Sequence, residues 1–176
     1  ATFKSFTIIA RYFMDKGATV LRGHNVSPLH LACYIPSSAS LVKDFFSLGS
    51  VSCCADSKYI SGTPIQVAVL GNNEEALTSL LGFEGVEIDH TLLQYACSLP
   101  TLGRADIVNV IVDHIGAKAI MFPDQQGKTS LGLAVESNCP GNVKALLSKL
   151  SDFMPVMECR IFVQDILRAA ETINIK

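Results

Sequence analysis

Ser27-Pro28-Leu29-His30-Leu31-Ala32-Cys33 is the stretch that decides the fold. A Ser hydroxyl can accept an orphan backbone N–H in the first turn of a helix, so Ser27 reads as an N-cap. Pro28 then occupies the first helical position, where a missing N–H costs nothing. Leu29 and Ala32 lie three apart on one face, and Ala32 is small enough to let another helix approach closely. The stretch predicts the start of a short, tightly packed helix.

The same pattern returns three times along the chain. Thr63-Pro64-Ile65-Gln66-Val67-Ala68, Thr91-Leu92-Leu93-Gln94-Tyr95-Ala96 and Thr129-Ser130-Leu131-Gly132-Leu133-Ala134 align with it, at spacings of 36, 28 and 38 residues. A second apolar helical pattern follows each copy: Leu41-Val42 with Phe45-Phe46, Ala76-Leu77 with Leu80-Leu81, Ile107-Val108 with Ile111-Val112, and Val143 with Leu146-Leu147. Glycines close several of these second helices (Gly17, Gly49, Gly116), where a left-handed C-cap is expected. Helix, turn, helix and loop at a period near 33 is the signature of a solenoid.

The pattern resembles the ankyrin repeat over roughly residues 6 to 150. Asp124-Gln125-Gln126-Gly127-Lys128-Thr129 carries the family's Asp-x-x-Gly-x-Thr hairpin, and Phe6–Val20 looks like the second helix of a truncated first repeat. The resemblance implies an all-α ankyrin-repeat solenoid of stacked helix pairs joined by hairpin loops. It predicts about ten helices, almost no strand, and alanines 32, 68, 96 and 134 buried between helices. The chain reads as one domain, 1–176: a truncated first repeat in 1–20, four repeats in 21–150, and a cap or degenerate fifth repeat in 151–176. In that last segment Arg160–Ile173 reads as one helix with Ile161, Ile166, Ala169, Ala170 and Ile173 on an apolar face. Only His30 keeps the motif histidine; Gln66, Gln94 and Gly132 replace it. In this family that histidine usually bonds backbone across a repeat boundary, so those boundaries should be held differently. The third repeat has about four extra residues in Ser98–Arg104, and the hairpin before it, around Gly82–Asp89, is about five short.

Composition narrows the function. Of 176 residues, 49% are apolar and 17% charged, too apolar for disorder. The net charge of −2 lacks the basic footprint of a nucleic-acid binder. No apolar run reaches the roughly 18 residues of a membrane span, because Asp113 and Lys118 interrupt the best candidate. With no signal-peptide pattern and no initiator Met, the chain reads as a piece of something longer. Six cysteines in such a chain read as reduced thiols of an intracellular compartment, the cytoplasm before the nucleus.

Residues suited to catalysis do not assemble. His24, His30, His90 and His114 are widely separated, and no Cys/His spacing fits zinc. Vicinal Cys53-Cys54 lacks the C-x-x-C geometry that activates a thiol. Gly127-Lys128-Thr129 echoes a phosphate loop, but the required earlier glycine is Phe122. No catalytic, metal or cofactor-binding set is expected, and no cofactor.

The expected role is a non-catalytic scaffold, monomeric, that binds a protein or peptide in a concave groove of hairpin tips and first helices. The residues expected there are Arg22, His24, Tyr34, Ile35, Lys58, Tyr59, Ile60, Leu70, His90, Leu99, Gln125, Gln126 and Lys128. Tyr34, Ile35, Tyr59, Ile60 and Leu99 would form an apolar patch rimmed by Arg22, Lys58 and Lys128. Two alternatives remain open: a regulatory or docking arm of a larger enzyme, and a modified-peptide reader in which Tyr34 and Tyr59 cage a methylated lysine.

Overall fold

The computed structural model describes residues 8, 12, 27–46, 55–56, 61–100 and 104–153. The chain divides into two compact units, Ala1–Glu87 and Ile88–Lys176. The first contains α1 (Pro28–Tyr34), a 3-10 turn (Pro36–Leu41), α2 (Val42–Phe46), α3 (Pro64–Leu70) and α4 (Glu74–Leu81). Between α2 and α3, β1 (Ala55–Asp56) pairs antiparallel with β2 (Ser61–Gly62), the only strands among the described residues. The second unit contains α5 (His90–Ser98), α6 (Ala105–Ile115), a 3-10 turn (Ala117–Met121), α7 (Ser130–Glu136) and α8 (Pro140–Phe153).

Each first helix starts as its sequence dictates, with one exception. Ser27 and Thr63 cap α1 and α3, and the return arm of each capping box is the side chain three residues on. His30 Nδ1 accepts from the Ser27 N–H at 3.2 Å, and Gln66 Oε1 from the Thr63 N–H at 2.9 Å. Thr129 caps α7 through the Gly132 N–H, and Gly132 has no side chain to reply. The exception is α5, whose cap is Asp89 and not Thr91, so Thr91 falls inside the helix. Asp89 accepts both the backbone N–H and the hydroxyl of Thr91. An acceptor two residues upstream has captured the motif threonine, and a carboxylate is favoured at a helix N-terminus.

Packing follows the repeat. In the first unit α1 lies against α3, and α2 against α4; in the second, α5 against α7 and α6 against α8. Ala32, Ala68, Ala96 and Ala134 are fully buried, as helix pairs in close approach require. Leu29, Leu41, Val42, Val67, Leu77 and Leu80 are buried in the first unit along with its two alanines. Leu93, Ile107, Val108, Ile111, Ile120, Leu131 and Leu146 are buried in the second along with its two. Two details differ from expectation. The second helix of the first full repeat opens as a 3-10 turn at Pro36, where the Ser38 hydroxyl donates to the Ile35 carbonyl at 2.8 Å. Helix α8 runs past residue 150 to Phe153, so the fourth repeat is longer than its sequence boundary. The first-repeat helix Phe6–Val20, Gly17, Gly49 and the Arg160–Ile173 helix lie outside the described residues, apart from Ile8 and Tyr12.

Candidate protein-interaction face

Boundaries between repeats are tied by side chains that reach backbone. In the first unit, Asn73 is buried, caps α4 through the Ala76 N–H at 3.1 Å, and donates to the carbonyls of Ala32 and Cys33 at 3.3 and 3.0 Å. Asn72, just before it, adopts φ +52°, as Asn138 does in the second unit. The residue matching Asn73 there is Cys139, whose thiol lies 3.7 Å from the Leu99 carbonyl. Asn142 takes over part of the tie by accepting the Arg104 N–H at 2.7 Å. Gln94, at the motif-histidine position, donates to the Phe122 carbonyl 28 residues on, at 2.9 Å. A boundary that lost its histidine is therefore still bridged, by a longer amide.

That bridge holds a hairpin. Asp124 Oδ1 accepts the N–H groups of Gln126 and Lys128, each at 2.8 Å, while the Asp124 and Lys128 backbones pair. Gly127 closes the turn at φ +79°, a conformation that excludes most side chains. The Asp-x-x-Gly spacing thus yields a rigid loop with Gln125 and Gln126 exposed at its tip. Phe122, where the hairpin begins, is 45% exposed; its ring lies 5.1 Å from that of His90.

The expected face residues fare differently. Tyr34 is exposed at the end of α1, with Ile35 half-buried as its C-cap, and Leu70 is half-buried at the end of α3. In the second unit His90 and Leu99 are half-buried. Lys128 is not a free cation: its Nζ pairs with Glu136 at 2.7 Å, on side chains about one-third exposed. Arg22, His24, Lys58, Tyr59 and Ile60 lie outside the described residues, and with Tyr59 and Ile60 goes part of the expected apolar patch. Phe122 was missed. Its signal was an aromatic directly before Pro123 and the Asp-x-x-Gly turn, where the fold has no core to fill.

Cys33, Cys97 and Cys139 are free and buried, and desolvation pushes the thiols of Cys33 and Cys97 up to about 12. Cys53, Cys54 and Cys159 lie outside the described residues. No group of three or more His, Cys, Asp or Glu side chains among the described residues could hold a metal ion. No helix among them is long and apolar enough to cross a membrane.

Paired helices, boundary ties and protruding hairpins define a helical repeat protein, an all-α solenoid. A family model of ankyrin repeats, in three copies, matches residues 65–155. The chain belongs to the ankyrin-repeat family. Ankyrin repeats generally mediate protein–protein interactions and are typically non-catalytic. No curated protein matches the chain.

Proposed function

We propose that the chain is a non-catalytic scaffold that binds a protein or peptide on the face formed by first helices and hairpins. The observation that carries this reading is Phe122. A large apolar ring costs free energy in water, at about 25 cal/mol per Å². Here it stands half-exposed on a hairpin whose carbonyl is held by Gln94 and whose ring rests beside His90. An exposed aromatic at the base of a hairpin whose tip carries the exposed polar residues Gln125 and Gln126 has the composition of a binding hot spot. Tyr34 plays the corresponding part in the first unit, and Tyr59 and Ile60 are proposed as further partner-binding residues.

The experiment is capture of partners from native lysate, followed by hydrogen-exchange mapping of the purified complex. Protection of Phe122–Lys128 and of the end of α1 is expected. Protection confined to α2 and α8, where Lys43 and Lys144 are exposed, would favour a docking arm that uses the second helices.

A further inference from the structure

The charges beside Phe122 bear on the chemistry of its partner. Gln94 holds the Phe122 carbonyl at 2.9 Å, and His90, at the start of the same helix, lies with its ring 5.1 Å from the Phe122 ring. Phe122 is therefore pinned against the first turns of α5. Directly before His90 comes Asp89, the N-cap of α5, which is exposed. Its Oδ1 accepts the Thr91 N–H at 2.9 Å and the Thr91 hydroxyl. The hydroxyl bond, outweighing a small cost of burial, holds the Asp89 carboxyl below its usual range, so it is charged at neutral pH. No Lys or Arg among the described residues pairs with it. The hairpin's own cation, Lys128, is engaged with Glu136 at 2.7 Å. Asp124 turns its Oδ1 inward to the Gln126 and Lys128 N–H groups.

Two features thus flank His90: an exposed aromatic ring by contact, and an exposed carboxylate without a cation by sequence. An aromatic face attracts a cation through its quadrupole, arginine most often. A carboxylate holds the same guanidinium by charge-assisted hydrogen bonds. An acidic partner would meet Asp89 as a like charge, and a purely apolar one would leave it unused. Resting on the partner-binding face proposed above, we infer that this face takes a basic segment of the partner, with an arginine or lysine side chain laid on the Phe122 ring and its charge turned to Asp89.

The test screens a random phage-displayed peptide library on the immobilised 176-residue chain and discards every clone that also binds Phe122→Ala. Should Phe122→Ala melt below the parent, Phe122→Leu takes its place in the screen. The remaining peptides should be enriched in Arg or Lys over the library. Made synthetically, they should bind Asp89→Asn about two- to fivefold more weakly than the parent. Asparagine caps a helix as well as aspartate does, so the melting curve should not move. The loss should shrink in concentrated NaCl, as a charge effect does and a structural one does not. Phe122→Leu keeps apolar bulk and removes the π face, and should weaken the same peptides by about two- to fivefold. Peptides that need Phe122 but show no Arg or Lys enrichment, or that bind Asp89→Asn at full affinity, would overturn the basic-partner inference and leave the Phe122 face standing. A library without any peptide that needs Phe122 would overturn both.

Discussion

Replacing Gly71 with alanine adds one methyl group where two helices meet. Gly71 caps α3 at φ −75° and ψ −3°, a conformation alanine adopts freely, so no backbone strain is involved. Space is the issue: the new Cβ would lie 2.8 Å from the carbonyl carbon and Cα of Tyr34, and closer still to its oxygen. These are backbone atoms, and no rotamer change relieves them; the end of α1 must shift away from α3. Overpacking costs about 1–3 kcal/mol, with a backbone obstacle at the upper end. The smaller conformational freedom of unfolded alanine offsets about 0.4–1 kcal/mol. The net loss is about 2 kcal/mol, or a fall of about 4–8 °C in Tm for a chain of this size. Gly82→Ala is the internal control. Gly82 also has helical backbone (φ −79°), but its Cβ would meet nothing closer than the Ser79 carbonyl at 3.5 Å. It should hold or raise stability by about 0.4–1 kcal/mol. Thermal and urea melts of both variants decide the matter. Equal behaviour of the two, or a Gly71→Ala variant as stable as the parent, would refute close packing of α1 on α3.

Asn73→Ala removes a cap and two boundary hydrogen bonds at once and should cost about 2–3 kcal/mol by urea denaturation. Alkaline pH should weaken the fold through its buried thiols. Folded Cys33 and Cys97 stay protonated up to about 12, whereas unfolded thiols ionise from about 9, so the folded state retains more protons. Stability is then untouched below pH 9 and falls above it, by up to about 1.4 kcal/mol per pH unit for each thiol. Urea midpoints at pH 8 and 10 should differ less in a Cys33→Ala/Cys97→Ala variant than in the parent. Gln94→Ala should release the Phe122 carbonyl and speed amide exchange across Asp124–Lys128, and Gln94→His should slow it again; unchanged exchange in the alanine variant would show that the hairpin is held elsewhere.

Much of the fold was legible because each first helix announces itself locally. A hydroxyl N-cap, a proline or small residue after it in three of the four copies, and an alanine five positions on are all short-range signals, and the structure buries all four alanines. Reading failed where two local signals competed. At α5 both Asp89 and Thr91 can cap, and only the folded chain shows that the carboxylate takes the role. It failed again where one task passed between residue types. The boundary bond expected of histidine is made by Gln94, and the tie made by Asn73 is divided between Cys139 and Asn142. Such exchanges depend on reach across the repeat, which sequence spacing does not encode. The proposed interaction face is a set of positions that follow from the repeat register, in hairpins and first helices. Which of them stand free was not legible: Lys128 is paired with Glu136, and Phe122 emerges only once the Gln94 bond fixes its backbone.

The most direct test of the interaction reading is a calorimetric titration of the captured partner into the parent, Phe122→Ala, Tyr34→Ala and Lys43→Ala proteins. Each is first checked for an unchanged melting curve. Phe122→Ala and Tyr34→Ala should each weaken binding by more than about 1 kcal/mol, roughly fivefold or more in Kd, and Lys43→Ala should match the parent. Full affinity in both aromatic variants, with a loss in Lys43→Ala, would contradict binding through the hairpin and first-helix face.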